Sequence, residues 1–381
     1  MKMNFEQIKA AFDQETAQRK LVRKRDEIPM AFEDITTDWL DDVLGAKANG
    51  STVTGFTLGP EDEGTSSRRR IEIQYSSEQH TLPSSVFCKA TFTLPSRCLL
   101  GMNGAIEGEV KFYNIVRPQL DIEAPTARFA NFNPDTLNSI VMLDDMSGSV
   151  TFSDHTTVIT EQLAKEQLGI LAKLHGKYYQ SAALQGELSY LNTWSDFFTI
   201  TANEAGFGPQ ADIGFREAKE VIPANLFKKA DQIWPATLAS VNAHKSLPHT
   251  VVHSDVHLKN WYITADKHMG LSDWQCMCVG HWGRDLAYVL STSLSIGDRR
   301  AWEKDLIQYY LKELKANGGP DTPFGDAWNY YRQNLFGALA WWTPVLSPNP
   351  DVPDMQPRDT SLEFISRMTH AIDDTQALDS L

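Results

Sequence analysis

The stretch Val251-Val252-His253-Ser254-Asp255-Val256-His257-Leu258-Lys259-Asn260, with Leu271-Ser272-Asp273-Trp274 shortly after it, decides how the chain is read. Asp255 is a carboxylate, and Asn260, five residues on, is a neutral oxygen ligand. Residues 261–272 are long enough for a tight β-hairpin that returns Asp273 beside Asn260. The spacing predicts that three oxygen ligands converge on one point. Transfer of a phosphoryl group from ATP requires such a set: a carboxylate to orient the attacking hydroxyl and accept its proton, and oxygen ligands for Mg²⁺ on the phosphates. A second reading takes His253, Asp255 and His257 as alternate residues of an extended strand that bind a transition metal in a hydrolase, with Cys276 and Cys278 close enough to join a zinc site. That reading leaves Asn260 and Asp273 unexplained.

The segment resembles the catalytic loop of the aminoglycoside phosphotransferase and choline kinase superfamily, H-x-D-x-H-x-x-N. Ser272-Asp273-Trp274 resembles that family's second metal motif, and Gly283-Arg284-Asp285-Leu286-Ala287 resembles its later D-L-A signature. The resemblance implies that Asp255 is the catalytic base and that Asn260 and Asp273 hold Mg²⁺. It further implies that His253, His257 and Asp285 brace the loop without taking part in the chemistry.

Upstream, Val86-Phe87-Cys88-Lys89-Ala90 places a lysine inside an apolar strand, where an unpaired ammonium is costly. A kinase needs a strand lysine for the α- and β-phosphates and a helix glutamate to hold it. Glu107-Gly108-Glu109-Val110-Lys111-Phe112-Tyr113 supplies two candidates, and its likeness to the E-x-x-F-Y pattern of ecdysteroid-kinase-like enzymes favours Glu109. Ile140-Val141-Met142-Leu143-Asp144-Asp145-Met146 resembles the family's hinge, which implies that backbone groups at Met142, Leu143 and Asp144 meet adenine. The turn Gly59 to Arg68 stands where a nucleotide-covering loop belongs, with Gly64, Ser66 and Ser67 as donors to phosphate. Its acids Glu61, Asp62 and Glu63 read as a solvated turn. The order lysine, glutamate, hinge, base and metal aspartate is the one a protein-kinase-like fold requires. A non-catalytic pseudokinase is a further alternative, and the intact set Lys89, Asp255, Asn260 and Asp273 speaks against it.

The coarse pattern agrees. Helices are expected at 4–25 and 35–45, then strands at 52–58, 69–75 and 85–92, a helix at 104–117, and strands at 126–131 and 139–143. Past the polar stretch 144–149 the texture is helical: 160–181, 190–205, 214–220, 223–244, 283–294, 299–317, 324–343 and 361–377, broken by a hairpin near 261–272. The expected class is α+β, two-lobed: a helical extension 1–46, a small antiparallel-sheet N-lobe 47–143, a hinge 144–149 and a large helical C-lobe 150–381. A cleft at the junction is the expected ligand address.

The 381 residues are 42% hydrophobic with 10 Trp and 18 Phe, ample for buried cores, and 22% charged, which argues against global disorder. A net charge of −14 disfavours nucleic acid and anionic membrane as partners. No run of eighteen apolar residues and no secretory leader is evident, and four cysteines fit a reducing cytoplasm. The expected partner is a small-molecule alcohol, with ATP and Mg²⁺ as cofactors. Helix 324–342 is unusually aromatic and holds Asp326 as its single acid, which favours a hydrophobic or choline-like alcohol over an aminoglycoside.

Overall fold

A computed structural model of the chain describes residues 3–77, 81–348 and 356–381. It divides into two units, Met1–Gln119 with Pro125–Ser149, and Leu120–Ala124 with Val150–Leu381.

The first unit is built on an antiparallel sheet. Its strands are β1 (Val53–Leu58), β2 (Asp62–Glu63), β3 (Ser67–Tyr75), β4 (Ser85–Ala90), β5 (Ala127–Phe132) and β6 (Ser139–Asp144), in the order β1-β3-β4-β6-β5 with β2 on β3. Strand periodicity sorts β4: Val86, Cys88 and Ala90 enter the apolar cluster, and Lys89 projects from the other face. The N-terminal residues are integral to that cluster. Val22, Phe32, Ile35, Trp39, Leu40 and Val43 pack with Ile71, Val86, Phe129 and Met142. Trp39 meets Phe129 edge-on at 5.5 Å and donates its indole N–H to the Glu27 carbonyl at 3.0 Å.

The helices depart from expectation in informative ways. The helix expected over 4–25 is α1 (Phe5–Ala17), and the chain from Gln18 to α2 (Thr37–Leu44) is irregular. Side chains hold that stretch in place of a helical ladder: Arg19 grips Asp34 through both carboxylate oxygens at 2.9 Å. An unanticipated helix, α3 (Leu94–Met102), is capped by the Thr93 hydroxyl and has a proline in its first turn. The helix expected at 104–117 starts as α4 (Ala105–Lys111) behind Gly104, whose φ of 83° suits glycine, and continues as a π-turn, Phe112–Val116.

The second unit is mostly helical: α5 (Glu161–Tyr178), α6 (Trp194–Ala205), α7 (Phe207–Glu217), α8 (Ala224–Phe227), α9 (Ala230–Ala243), α10 (Gly283–Ser293), α11 (Ile296–Ala316), α12 (Phe324–Leu339), α13 (Thr343–Leu346) and α14 (Arg358–Asp374). Expected helices 223–244 and 324–343 are thus each two pieces, and 214–220 is the end of the longer α7. Short strands do more than one hairpin: β7 (Val150–Phe152) joins β9 (Trp261–Thr264) and β10 (Met269–Leu271), while β8 (Thr250–Val252) pairs with β11 (Cys278–Gly280). Three-residue strands carry too little periodicity to be seen in sequence. Every residue of α10 is buried, so this helix is a fixed post at the centre of the unit. Among the described residues, no helix is long and apolar enough to cross a membrane.

Candidate active site

The loop between β8 and β9 holds the residues singled out in sequence, and α10 sets its shape. Asp285, in the first turn of α10, accepts the backbone N–H groups of His253 and Ser254, each at 2.8 Å. His175 from α5 meets the same carboxylate at 3.0 Å. Burial alone would raise the Asp285 pKa, but the hydrogen bond and charge of His175, with His253 and Arg284, outweigh it and hold the carboxyl low. Ser254 lies in the left-handed region at φ 62°, a strained conformation for a residue with a Cβ. Three contacts impose it: the Asp285 bond, the Ser254 hydroxyl on the Cys276 carbonyl at 2.6 Å, and Arg284 on the Ser254 carbonyl at 2.8 Å.

Burial lowers the pKa of His253. Its Nδ1 accepts the Asp255 N–H at 3.2 Å, so its proton is on Nε2 and is donated to the Ser272 carbonyl at 3.0 Å. Both ring nitrogens are therefore engaged within the loop, and neither is left for a metal. Among the described residues, no group of three His, Cys, Asp or Glu side chains is arranged to hold one. The cysteines fit a zinc site no better. They belong to an apolar cluster, and burial pushes the Cys278 thiol up to about 12. This geometry removes the footing of the hydrolase reading.

Asp255 meets Asn260, and Ser272, the neighbour of Asp273, meets Asn260 in turn. The Asn260 side-chain amide donates to the Asp255 carbonyl at 2.7 Å and to its Oδ2 at 3.2 Å. With its N–H groups turned to Asp255, Asn260 presents its carbonyl oxygen away from it. Ser272 donates both its N–H and its hydroxyl to the Asn260 carbonyl, each at 2.8 Å, which sets the next residue, Asp273, beside Asn260. Asp273 has φ 59°, a second non-glycine left-handed residue in the loop system. An amide oxygen and a carboxylate are hard donors, and the set fits Mg²⁺. The Asp255 side chain remains 19% exposed, with His257 Nε2 at 3.5 Å from Oδ2 and the Tyr288 hydroxyl donating to Oδ1 at 3.2 Å. Burial raises its pKa, but His257, His253 and Arg284 prevail, and the carboxyl is held well below the usual carboxylate range. Asp255 is thus ionised, fixed and reachable.

Sequence reasoning missed four side chains here: His175, Arg284, Tyr288 and Trp342. Arg284 is buried between the rings of Trp194 (4.1 Å) and Tyr288 (4.6 Å). His175 also meets the buried Tyr310 hydroxyl at 2.7 Å. No spacing rule links residues this far apart, although Arg284 and Tyr288 flank the recognised Asp285 within one helix. Several rings of α12 and its extension are core: Tyr331, Phe336 and Trp342 are buried, while Trp328, Tyr330 and Trp341 are half-buried.

In the first unit, Lys89 meets Glu109 at 2.7 Å, with their side chains 10% and 9% exposed. Glu107 pairs with Lys111 within α4, so the two glutamates have distinct partners. In the turn, Ser66 and Ser67 are buried and Gly64 donates its N–H to the Ser66 carbonyl at 3.2 Å. The acids are not bare: Asp62 pairs with Arg68 at 3.0 Å and Glu61 with Arg69 at 3.4 Å. Of Glu63 only the backbone is described.

One expected register requires correction. Met142 pairs with both Cys88 and Phe129, and Leu143 with both Phe87 and Ala127. A strand paired on both sides has no free backbone edge. Asp144 is likewise paired with Val86 and donates its N–H to the Thr126 carbonyl at 3.1 Å. The strand ends at Asp144, and Asp145 is the first residue beyond it. Asp144 and Asp145 are themselves tied down, by Arg128 at 2.6 Å and by Arg70 at 2.9 Å.

The sequence profile of the APH phosphotransferase enzyme family matches residues 105–327, more than half of the chain, and the protein belongs to that family. No curated protein sequence matches significantly. A choline kinase from Cryptosporidium parvum superposes with a TM-score of 0.50, over 88% of this chain and 96% of its own, at 12% identity. A spectinomycin phosphotransferase solved with ADP and spectinomycin gives 0.49, over 87% and 95%, at 15% identity. An ethanolamine kinase from Plasmodium vivax gives 0.47, over 84% and 81%, at 12% identity. The likeness to the first shows the fold: α+β, protein-kinase-like, with a small sheet unit and a large helical one.

Proposed function

We propose that the protein is an ATP-dependent kinase of a small-molecule alcohol. The observation that carries the reading is the state of Asp255: an ionised carboxylate, fixed at both oxygens, still reachable, and next to Asn260. In this reading Asp255 orients the acceptor hydroxyl and receives its proton as the hydroxyl oxygen attacks the γ-phosphorus and ADP leaves. Asn260 Oδ1 and the Asp273 carboxylate would hold Mg²⁺, which would supply positive charge to offset that of the phosphates. Lys89, held by Glu109, meets the α- and β-phosphates. Backbone at Asp145 and Met146, the first beyond the paired strand, takes the adenine edge. Gly64 with its neighbours covers the phosphates, and Arg68 and Arg69 offset the acids beside them.

For the acceptor we favour a hydrophobic or choline-like alcohol. An aminoglycoside carries several ammonium groups and calls for clustered carboxylates, and residues 324–342 contain Asp326 alone. The exposed parts of Trp328, Tyr330 and Trp341 suit an apolar or quaternary-ammonium group better. The test is ADP release from Mg²⁺-ATP across a panel of steroid, terpenoid, choline-like and aminoglycoside alcohols. Turnover of the first three classes is expected. Preferential turnover of aminoglycosides contradicts the acceptor assignment, and no ADP release with any acceptor or with water contradicts the kinase reading.

A further inference from the structure

The bond from Tyr288 to Asp255 is the second link of a longer chain. Trp342, which follows α12 and precedes α13, donates its indole N–H to the Tyr288 hydroxyl oxygen at 2.8 Å. The Tyr288 hydroxyl in turn lies 3.2 Å from Asp255 Oδ1. A phenol has one proton to give, and an indole N–H can only donate. With its oxygen accepting from Trp342, Tyr288 turns its single proton to Asp255, so the direction of the chain is fixed by Trp342. Burial keeps that phenol protonated, its pKa well above the ordinary value, so it remains a donor throughout the working range.

The two oxygens of Asp255 are therefore held from different elements. Oδ2 is met by Asn260 and faces His257, both in its own loop, and Oδ1 is met from α10. A carboxylate held at one oxygen can still swing about its Cβ–Cγ bond, and one held at both cannot. Tyr288 and Trp342 are themselves immobile. Tyr288 is fully buried with Arg284 over its ring, and Trp342 packs on Phe364 at 4.6 Å and on His257 at 5.2 Å.

We propose that Tyr288 is a positioning residue for phosphoryl transfer, fixing the Asp255 carboxylate plane, and that Trp342 acts through it by orienting its proton. This rests on the reading of Asp255 as the base. It gives Trp342 a role other than lining an acceptor pocket.

The experiment measures kcat and KM for Mg²⁺-ATP by ADP release, with water as the acceptor, in the wild type, Asp255→Asn, Tyr288→Phe, Trp342→Phe and the Tyr288→Phe/Trp342→Phe double variant. Thermal unfolding of each confirms that it is folded. Tyr288→Phe keeps the ring and its contact with Arg284 and deletes only the hydroxyl. A hydrogen bond to a charged group supports a loss of about tenfold to a hundredfold in kcat, with KM for ATP unchanged. Trp342→Phe lowers kcat in the wild-type background, and has no further effect once Tyr288 is Phe, because no proton remains to orient. The proposal is overturned if Asp255→Asn lowers kcat and Tyr288→Phe does not, if Tyr288→Phe acts on KM alone, or if the Trp342→Phe loss persists in the double variant. These outcomes leave the kinase reading standing. An Asp255→Asn variant with wild-type turnover, or a wild type that releases no ADP with water or with any alcohol of the panel, overturns the kinase reading and this proposal with it.

Discussion

The loop 253–260 and the turn 59–66, to both of which the proposed function assigns phosphate chemistry, are built in opposite ways. In the loop, His253, Ser254, His257 and Asn260 are buried, and it is held by the Asp285 side chain of α10, itself met by His175 of α5, and by the Ser272 hydroxyl. Two of the residues in that system tolerate left-handed backbone because their surroundings leave no alternative. In the turn Glu61 and Asp62 are exposed, and their partners are arginines of the adjacent strand. A segment that works through side chains must carry specific residues at specific spacings. A segment that works through backbone N–H groups need not, and its sequence is free to drift toward anything that makes a soluble turn.

The comparison breaks if the loop proves loosely held. Asp285→Asn replaces an acceptor of two backbone N–H groups and a histidine in a fully buried place. The expected loss is about 3–5 kcal/mol of unfolding free energy, read by denaturant titration at neutral pH. The pH dependence has a definite sign. Because the folded carboxyl is held below its unfolded value of about 3.9, its contribution is complete above that pH and is lost as pH falls through the lowered folded value. The wild type therefore loses stability in that acid window, and the variant has a flatter profile there. Equal stability of the two at neutral pH contradicts the account of the loop.

A smaller but still large effect is expected in the first unit, where Lys89 and Glu109 form a nearly buried pair. Lys89→Ala and Glu109→Ala should each lower turnover by about 10²–10³-fold, as removal of a preorganised charge does. In the double variant the losses should be far from additive, since each single change already breaks the pair. Losses that multiply would show that the two act independently.

The smallest effect sharpens the contrast. Glu61→Gln with Asp62→Asn removes the acid side of two exposed pairs in the turn. Stability should change by less than about 0.5 kcal/mol for each pair, and turnover by less than about twofold. A tenfold change in either direction would mean that the turn does act through these side chains.

What the sequence revealed follows the same division. The contact between Asp255 and Asn260 was legible because a short loop leaves little freedom in where the two residues go. Lys89 and Glu109 were legible because a cation in an apolar strand demands a partner. The hinge register was not legible, because it depends on where two ladders end and not on which residues occupy them. Nor was the support that lies behind Asp285 and the loop's own histidines. Tyr288 and Trp342 are 54 residues apart, and His175 and Asp285 are 110 apart, distances over which no periodicity survives. The N-terminal residues read as a helical extension because every motif that carries the family resemblance lies after them. Trp39 and Phe32 in the sheet's core show that they are part of the fold.

The central claim is that Asp255 is the base for transfer of a phosphoryl group to an alcohol. Phosphorus NMR of Mg²⁺-ATP with the alcohol panel, run with wild type and with Asp255→Asn, tests it directly. The account predicts a new phosphomonoester resonance and ADP with the wild type, slowed about 10²–10⁴-fold in the variant, which should still be stabilised by Mg²⁺-ATP on heating. A variant that forms the same product at a rate within threefold of wild type (roughly, against that expected loss) would contradict it.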